Sequence, residues 1–264
     1  MYTFDYQRPP SLEAAVASFK GDARYLAGGQ SLIQAMKLRL SSSETLVDLG
    51  GIDSLRRIAI DGTHVTLGAM TTHAAVAASP ELRNVLPALA ELAGGIGDPM
   101  VRSMGTIGGS IANADPAACY PAALLGLAAT VQTDRREIPG EDFFTGLYQT
   151  ALQPGELVTS VCFRVPQRAA YIKYKQPASR FALVGVFVSQ WQDGVRVAVT
   201  GAKATVFRAG AIERALEQRF APEAAKAIRL PLDDINGDLH GSARYRASMI
   251  SVMAGRAVAA ALAR

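Results

Sequence analysis

The chain has 264 residues, 49% of them hydrophobic and 19% charged, and a formal net charge of +4. That balance supports a packed core and excludes a disordered chain, and the length admits one large domain or two ordinary ones. Basic residues are scattered, with only short pairs such as Arg56-Arg57 and Arg135-Arg136, so no stripe suits a phosphate backbone and no nucleic-acid partner is expected.

The opening Met1-Tyr2-Thr3-Phe4-Asp5-Tyr6 lacks the basic region and apolar core of a signal peptide. No uninterrupted apolar run approaches the ~20 residues of a membrane span. The Ala-rich segment from Val252 is interrupted by Arg256 and reads as a packed amphipathic helix. The two cysteines, Cys119 and Cys162, lie far apart and can hold neither a zinc site nor an iron–sulfur cluster. A reducing, cytoplasmic setting is expected.

Phe4-Asp5-Tyr6 reads as a short edge strand, ended by Pro9-Pro10, and Ser11 as the N-cap of a helix through Lys20. Ala23 to Ala27 is expected as a buried strand. The turn Gly28-Gly29-Gln30-Ser31 follows, then an apolar-periodic segment carrying Leu32, Ile33, Met36, Leu38 and Leu40. Thr45 to Leu49 is a strand, and Ile58 to Ile60 with Val65 to Leu67 form a hairpin about Asp61-Gly62. Helices are expected over Thr72 to Ala78 and Pro80 to Ala93. Gly94 to Pro121, dense in glycine, alanine and proline, reads as a long irregular and therefore functional loop. Ala122 to Ala128 is helical, Thr130 to Thr133 and Leu157 to Val165 are strands, and Phe143 to Tyr148 is a turn or short helix. Texture changes after Pro166: Tyr171 to Gln176, Leu183 to Trp191 and Val195 to Val199 read as an antiparallel meander, followed by helices at Ala211 to Phe220, Ala224 to Leu230 and Ala243 to Ala263. The expected division is residues 1-166 and 167-264, with an α+β domain on each side.

Two glycine segments carry the chemistry. In Ala27-Gly28-Gly29-Gln30-Ser31-Leu32, strand, glycines and helix follow one another. Glycines let backbone N–H groups approach a phosphate closely, and the helix start adds unpaired N–H donors. Ser31 is expected either to cap that helix or to donate its hydroxyl. The second segment, Gly105-Thr106-Ile107-Gly108-Gly109-Ser110, continues through Asn113, Asp115 and Pro116. It is neither a Rossmann fingerprint nor a P-loop, yet its N–H groups and the hydroxyls of Thr106 and Ser110 suit a pyrophosphate. Two such cradles suit an extended dinucleotide better than a mononucleotide.

Other polar residues are less telling. His64, His73 and His240 have no metal-ligand spacing and read as surface or capping residues. Asp115 before Pro116 suits either a ribose hydroxyl or a turn start. Lys175, in an alternating Tyr-Lys-Tyr-Lys run, places a cation near a ligand or faces solvent. Cys119 has no histidine near it in sequence and reads as structural. No Ser-His-Asp or paired-carboxylate set stands out.

Ala27-Gly28-Gly29-Gln30-Ser31-Leu32-Ile33, with Met36-Lys37-Leu38-Arg39 behind it, closely resembles the first flavin motif of the FAD-binding medium subunits of the molybdenum hydroxylase family, which includes xanthine dehydrogenase and carbon monoxide dehydrogenase. Val101-Arg102-Ser103-Met104-Gly105-Thr106-Ile107-Gly108-Gly109-Ser110 through Ala118 resembles the second. Phe143-Phe144-Thr145-Gly146, Glu156-Leu157-Val158 and Ser242-Ala243-Arg244-Tyr245-Arg246 extend the likeness over nearly the whole chain. The resemblance implies a two-part FAD-binding domain of the vanillyl-alcohol-oxidase and p-cresol-methylhydroxylase type, followed by a smaller α+β C-terminal domain. It implies that both motifs contact the FAD pyrophosphate, and that Ile96, Val158 and Lys175 surround the flavin ring. One departure is Cys119, where the family usually has an aspartate touching FAD.

In that family FAD is the outlet of a redox chain: a molybdenum cofactor in a large molybdopterin subunit, iron–sulfur clusters in a small subunit, then FAD and an external electron acceptor. The resemblance implies those partners and a dimer of heterotrimers, with the redox chemistry belonging to the cofactors. Two other readings stand beside this one. An assembly subunit with a weakened flavin site is raised by Cys119, and a free-standing flavin oxidase would need its own catalytic acids or bases.

Overall fold

The computed structural model describes all residues from Met1 to Arg264. Strand β1 (Asp5–Gln7), helix α1 (Leu12–Ser18), strand β2 (Ala23–Leu26), helix α2 (Leu32–Lys37) and strand β3 (Thr45–Asp48) form the first unit. Its sheet has the order β1-β3-β2 with parallel pairing on both sides of β3. Parallel neighbours require crossovers, and α1 and α2 lie in those crossovers. Ser11 caps α1, its hydroxyl accepting from Ala14 N at 3.2 Å. The apolar-periodic segment ends earlier than expected: Arg39 takes φ 58°, and Leu38 and Leu40 project from the surface.

The second unit begins with the expected hairpin, β4 (Ile58–Ile60) and β5 (His64–Gly68), paired Ile58 to Leu67. Helices α3 (His73–Ala78), α4 (Pro80–Val85) and α5 (Pro87–Gly94) follow. One helix was expected over Pro80 to Ala93; the chain makes two. Pro87 has no N–H to continue the first helix, and Leu86 leaves the helical region at φ −142°.

The segment 94–121, expected to be irregular, instead contains α6 (Pro99–Met104), α7 (Ile107–Asn113) and the start of α8 (Tyr120–Gly126). Local caps explain the difference. Asp98 accepts from Val101 N at 2.9 Å with Pro99 in the first helical position, and Thr106 Oγ1 accepts from Gly109 N at 3.1 Å. Glycine disfavours an isolated helix, so α7 depends on packing: a Cβ at Gly108 would sit 2.6 Å from Ala69 Cβ.

Strands β6 (Thr130–Thr133) and β7 (Glu137–Pro139), short helix α9 (Gly140–Phe143), the small hairpin β8 (Phe144–Gly146) and β9 (Gln149–Thr150), and strand β10 (Val158–Arg164) complete this unit. Its sheet runs β4-β5-β10-β6-β7, antiparallel throughout.

The third unit is the expected meander, β11 (Arg168–Lys175), β12 (Ala182–Trp191) and β13 (Gly194–Thr200), with β14 (Phe207–Arg208) at its edge. Helices α10 (Gly210–Gln218), α11 (Pro222–Ala227) and α12 (Ala243–Leu262) cover one face. Eight consecutive residues of β12, Ala182 to Ser189, are buried, because both faces of this sheet are covered. Val184, Val186 and Val188 face a core shared with Ile250, Met253 and Val258 of α12. Phe187 and Tyr171 face the other way, into the core holding α5, α8 and β10. Phe187 packs so closely that a Cβ at Gly126 would meet it at 2.5 Å. The third unit is therefore joined to the second by a continuous core rather than by a hinge. No helix is long and apolar enough to cross a membrane.

Candidate functional site

A cleft of about 430 Å³ opens where the three units meet, a size within the ordinary range for ligand sites. It is lined by both glycine segments, by Tyr25, Ile96, Glu156 and Val158, and by Lys173 and Arg180 of the third unit.

The two glycine segments, nearly eighty residues apart in sequence, touch. A Cβ on Gly28 would lie 2.1 Å from Met104 O and 2.8 Å from Gly105 Cα, and one on Gly109 would lie 3.3 Å from Ala27 Cβ. Gly29 adopts φ +69°, which turns the chain from β2 into α2 at no steric cost. The N–H groups of Gly28, Gly29, Gln30, Ser31 and Leu32 donate to no acceptor in the chain. Five adjacent unpaired donors at one rim of the cleft are suited to a ligand rich in oxygen acceptors. Ser31 does not cap α2 with its side chain, so its hydroxyl is free as well.

The second segment differs from expectation. Ile107 N donates to Thr71 O at 3.1 Å, Gly108 N to Ala69 O at 2.9 Å, Gly109 N to Thr106 Oγ1 at 3.1 Å and Ser110 N to Thr106 O at 3.0 Å. All of its backbone donors except Thr106 N are thus consumed within the fold, and it presents side chains and glycine surface instead. Thr106, Ser110, Asn113 and Asp115 line the cleft. Asp115 also makes the turn anticipated for it, accepting from Ala117 N at 2.8 Å.

Fourteen of the sixteen expected residues line the cleft, and Ile107 and Lys175 do not. Ile107 is fully buried in the core beneath α7, so the helix turns its apolar side away from any ligand. Lys175 is displaced by a register shift between Tyr174 and Lys175 against β12 and is exposed. Lys173 is at the cleft instead; its Nζ donates to Gly95 O at 2.8 Å and Arg180 O at 2.7 Å. Arg180, at φ +61° in the β11–β12 connection, donates to Gly97 O at 3.1 Å. Sequence gave little signal for it, since a six-residue strand connection looks like any loop until the tertiary fold lays it over the cleft.

Three titratable groups in the wall have fixed states. Glu156 is held at about 2, first by its bonds from Arg136 and then by those from Gln153 N and Thr133. Tyr25 is pushed up to about 12, mainly by burial, so it stays a donor, to Gly155 O at 3.1 Å. His73, expected at the surface or in a cap, is instead buried against Tyr120 and α6. Burial, and then the charge of Arg102, lower its pKa to about 4, so the imidazole is neutral. No cluster of histidine, cysteine, aspartate or glutamate is arranged to hold a metal ion.

The family model for the FAD binding domain in molybdopterin dehydrogenase matches residues 2–167. The chain is 36% identical to the carbon monoxide dehydrogenase medium chain of Hydrogenophaga pseudoflava, covering 99% of this chain and 98% of that one. It is 34% identical to the nicotine 6-hydroxylase medium subunit of Paenarthrobacter nicotinovorans, covering 98% and 97%. Among solved structures, a chain of reconstituted CO dehydrogenase from Oligotropha carboxidovorans superposes with a TM-score of 0.89 at 36% identity, covering 100% of this chain and 99% of that one. The chain belongs to the family of FAD-binding medium subunits of molybdenum hydroxylases.

Proposed function

We propose that the chain binds FAD in the cleft, with the pyrophosphate on the unpaired N–H run Gly28 to Leu32, and passes electrons from an iron–sulfur partner to an external acceptor. That N–H run is the observation carrying the proposal. The residues present fit the cofactor. The run supplies donors without a cationic side chain, while Ser31, Thr106, Ser110, Asn113 and Asp115 add polar groups along the same cleft. Ile96, Val158 and Lys173 line its remaining wall and are the proposed surroundings of the ring system. When bound, FAD supplies the redox chemistry, taking electrons singly and releasing them singly or in pairs.

The rest of the work belongs to this chain. The close contact of Gly28 with Met104 sets the distance between the two walls, and Glu156 anchors the turn beneath β10 through Arg136. Lys173 and Arg180 draw the third unit over the opening, which narrows the access of water. Domains are proposed at 1-166 for FAD binding and 167-264 for this cover, although the two share a core.

As a medium subunit, the chain is expected to work beside a small iron–sulfur subunit and a large molybdopterin subunit, in a dimer of heterotrimers in the cytoplasm. The acceptor belongs to the class of quinones, oxygen, cytochromes or NAD. The Cys119 thiol meets Lys173 and leaves the N–H run untouched. Purified complex should release one FAD per chain on denaturation; flavin-free complex with its iron–sulfur centres intact would overturn the proposal.

A further inference from the structure

Cys119 and Lys173 come from opposite sides of the cleft seam, and both line it. Cys119 stands at the start of α8 and is buried, while Lys173 projects from β11. The Lys173 Nζ lies 3.4 Å from Cys119 Sγ. Two carbonyls hold it there, Gly95 O at the end of α5 and Arg180 O in the β11–β12 connection. The amine is consequently positioned by three elements, and its flexible stem has little freedom to swing away.

A third group completes the cluster. Tyr171 is two residues before Lys173 on the same face of β11. Its hydroxyl lies 2.3 Å from where Gly185 would carry a Cβ, and Gly185 is the residue paired with Lys173. That hydroxyl is buried with no hydrogen-bond partner. Burial, and then proximity to Cys119, push its pKa up, so it remains a protonated donor. The Lys173 amine at 3.4 Å and the unused Tyr171 O–H thus flank the Cys119 sulfur. Cys162, in the centre of the other sheet between β5 and β6, has neither neighbour.

We propose that Cys119 and Lys173 form a reversible oxidative cross-link that clasps the third unit to the flavin domain across the cleft. The oxidant is hydrogen peroxide, the product of dioxygen reduction at a flavin. The Cys119 sulfur attacks one peroxide oxygen, the O–O bond breaks, and with the thiol proton the leaving hydroxide becomes water; Cys119 is then a sulfenic acid. The Lys173 amine attacks that sulfur, the S–N bond forms, the S–O bond breaks, and a second water leaves with one amine hydrogen. In sum, one thiol, one amine and one peroxide give one sulfenamide and two waters. Sulfur loses two electrons and peroxide gains two. An external thiol reverses the link by attacking sulfur and returning the amine.

The link depends on the Cys119–Lys173 geometry alone, and peroxide is supplied in the test, so its failure leaves the FAD reading intact. The purified complex is treated with hydrogen peroxide, and its peptides are mapped by mass spectrometry without reduction. The expected product joins the Cys119 and Lys173 peptides at two hydrogens below their summed mass, and dithiothreitol separates them. Lys173→Arg, which keeps the charge but not the nucleophile, should give only oxygen adducts on Cys119. Oxygen adducts on wild-type Cys119 with no joined pair, or oxidation confined to Cys162, would overturn the proposal; the wild-type map decides this even where the variant folds poorly.

Discussion

Gly28→Ala places a methyl carbon 2.1 Å from Met104 O and 2.8 Å from both Met104 C and Gly105 Cα. All three are backbone atoms, so no side chain can rotate away. Ordinary contact begins at 3.4 Å, and reaching it from 2.1 Å requires the two glycine segments to separate by 1.3 Å. Overpacking of this kind costs about 1–3 kcal/mol of stability. The larger effect falls on the ligand. Each charge-assisted hydrogen bond from a backbone N–H to a phosphate is worth about 1.5–3 kcal/mol, or about tenfold or more in affinity. Loss of one or two is expected to weaken FAD binding by about tenfold to ten-thousandfold, with circular dichroism unchanged. The assay is flavin fluorescence titration of the deflavinated complex, with Gly94→Ala as control, because a Cβ there makes only a 3.6 Å contact. Wild-type affinity in Gly28→Ala, with its fold intact, would refute the argument that this contact sets the cradle.

Other perturbations test separate parts of the structure. Lys173→Ala should loosen the β11–β12 connection and weaken FAD binding, whereas Lys175→Ala, at an exposed position, should leave FAD affinity within about twofold of wild type; fluorescence titration of both checks the reassignment. Phe187→Ala removes a fully buried ring between the second and third units and should cost about 3–5 kcal/mol. Calorimetry should still show one transition, and two separated transitions in the wild type would contradict the shared core. Glu156 is held at about 2 against an ordinary 4.5. Its depressed pKa contributes stability that is present above pH 4.5 and lost as pH falls toward 2. Glu156→Gln should therefore be less stable at neutral pH and flatten the acid limb of the melting temperature. His73 works in a higher window. Its pKa falls from 6.5 to about 4, so the unfolded chain binds more protons between those values and stability drops as pH falls through them. His73→Phe should remove that slope, as read by melting temperature across the window.

The strand and helix order was largely legible because periodicity and punctuation agreed: Ser11 and Asp61-Gly62 each mark a boundary that the fold keeps. The segment 94–121 was not, because its helices rest on caps at Asp98 and Thr106 and on glycine packing against Ala69 rather than on propensity. The glycine segments are expected as a phosphate site, yet only tertiary structure separates their roles. Thr71 O and Ala69 O, which take up two of the second segment's donors, come from a connection nearly forty residues earlier. A period of two puts Lys173 and Lys175 on one strand face, and the register shift after Tyr174 is what sends them apart. His73 was misplaced for a similar reason, since its burial comes from α6 and Tyr120, which are remote in sequence.

The central claim is that this chain carries FAD on the N–H run from Gly28 to Leu32. The most direct measurement is phosphorus NMR of the purified chain with FAD, alone and with Gly29→Val. The wild-type chain should shift and broaden the pyrophosphate resonances at one FAD per chain, and the variant, strained at φ +69°, should not. Equal perturbation in both proteins, or none in the wild type, would contradict the assignment.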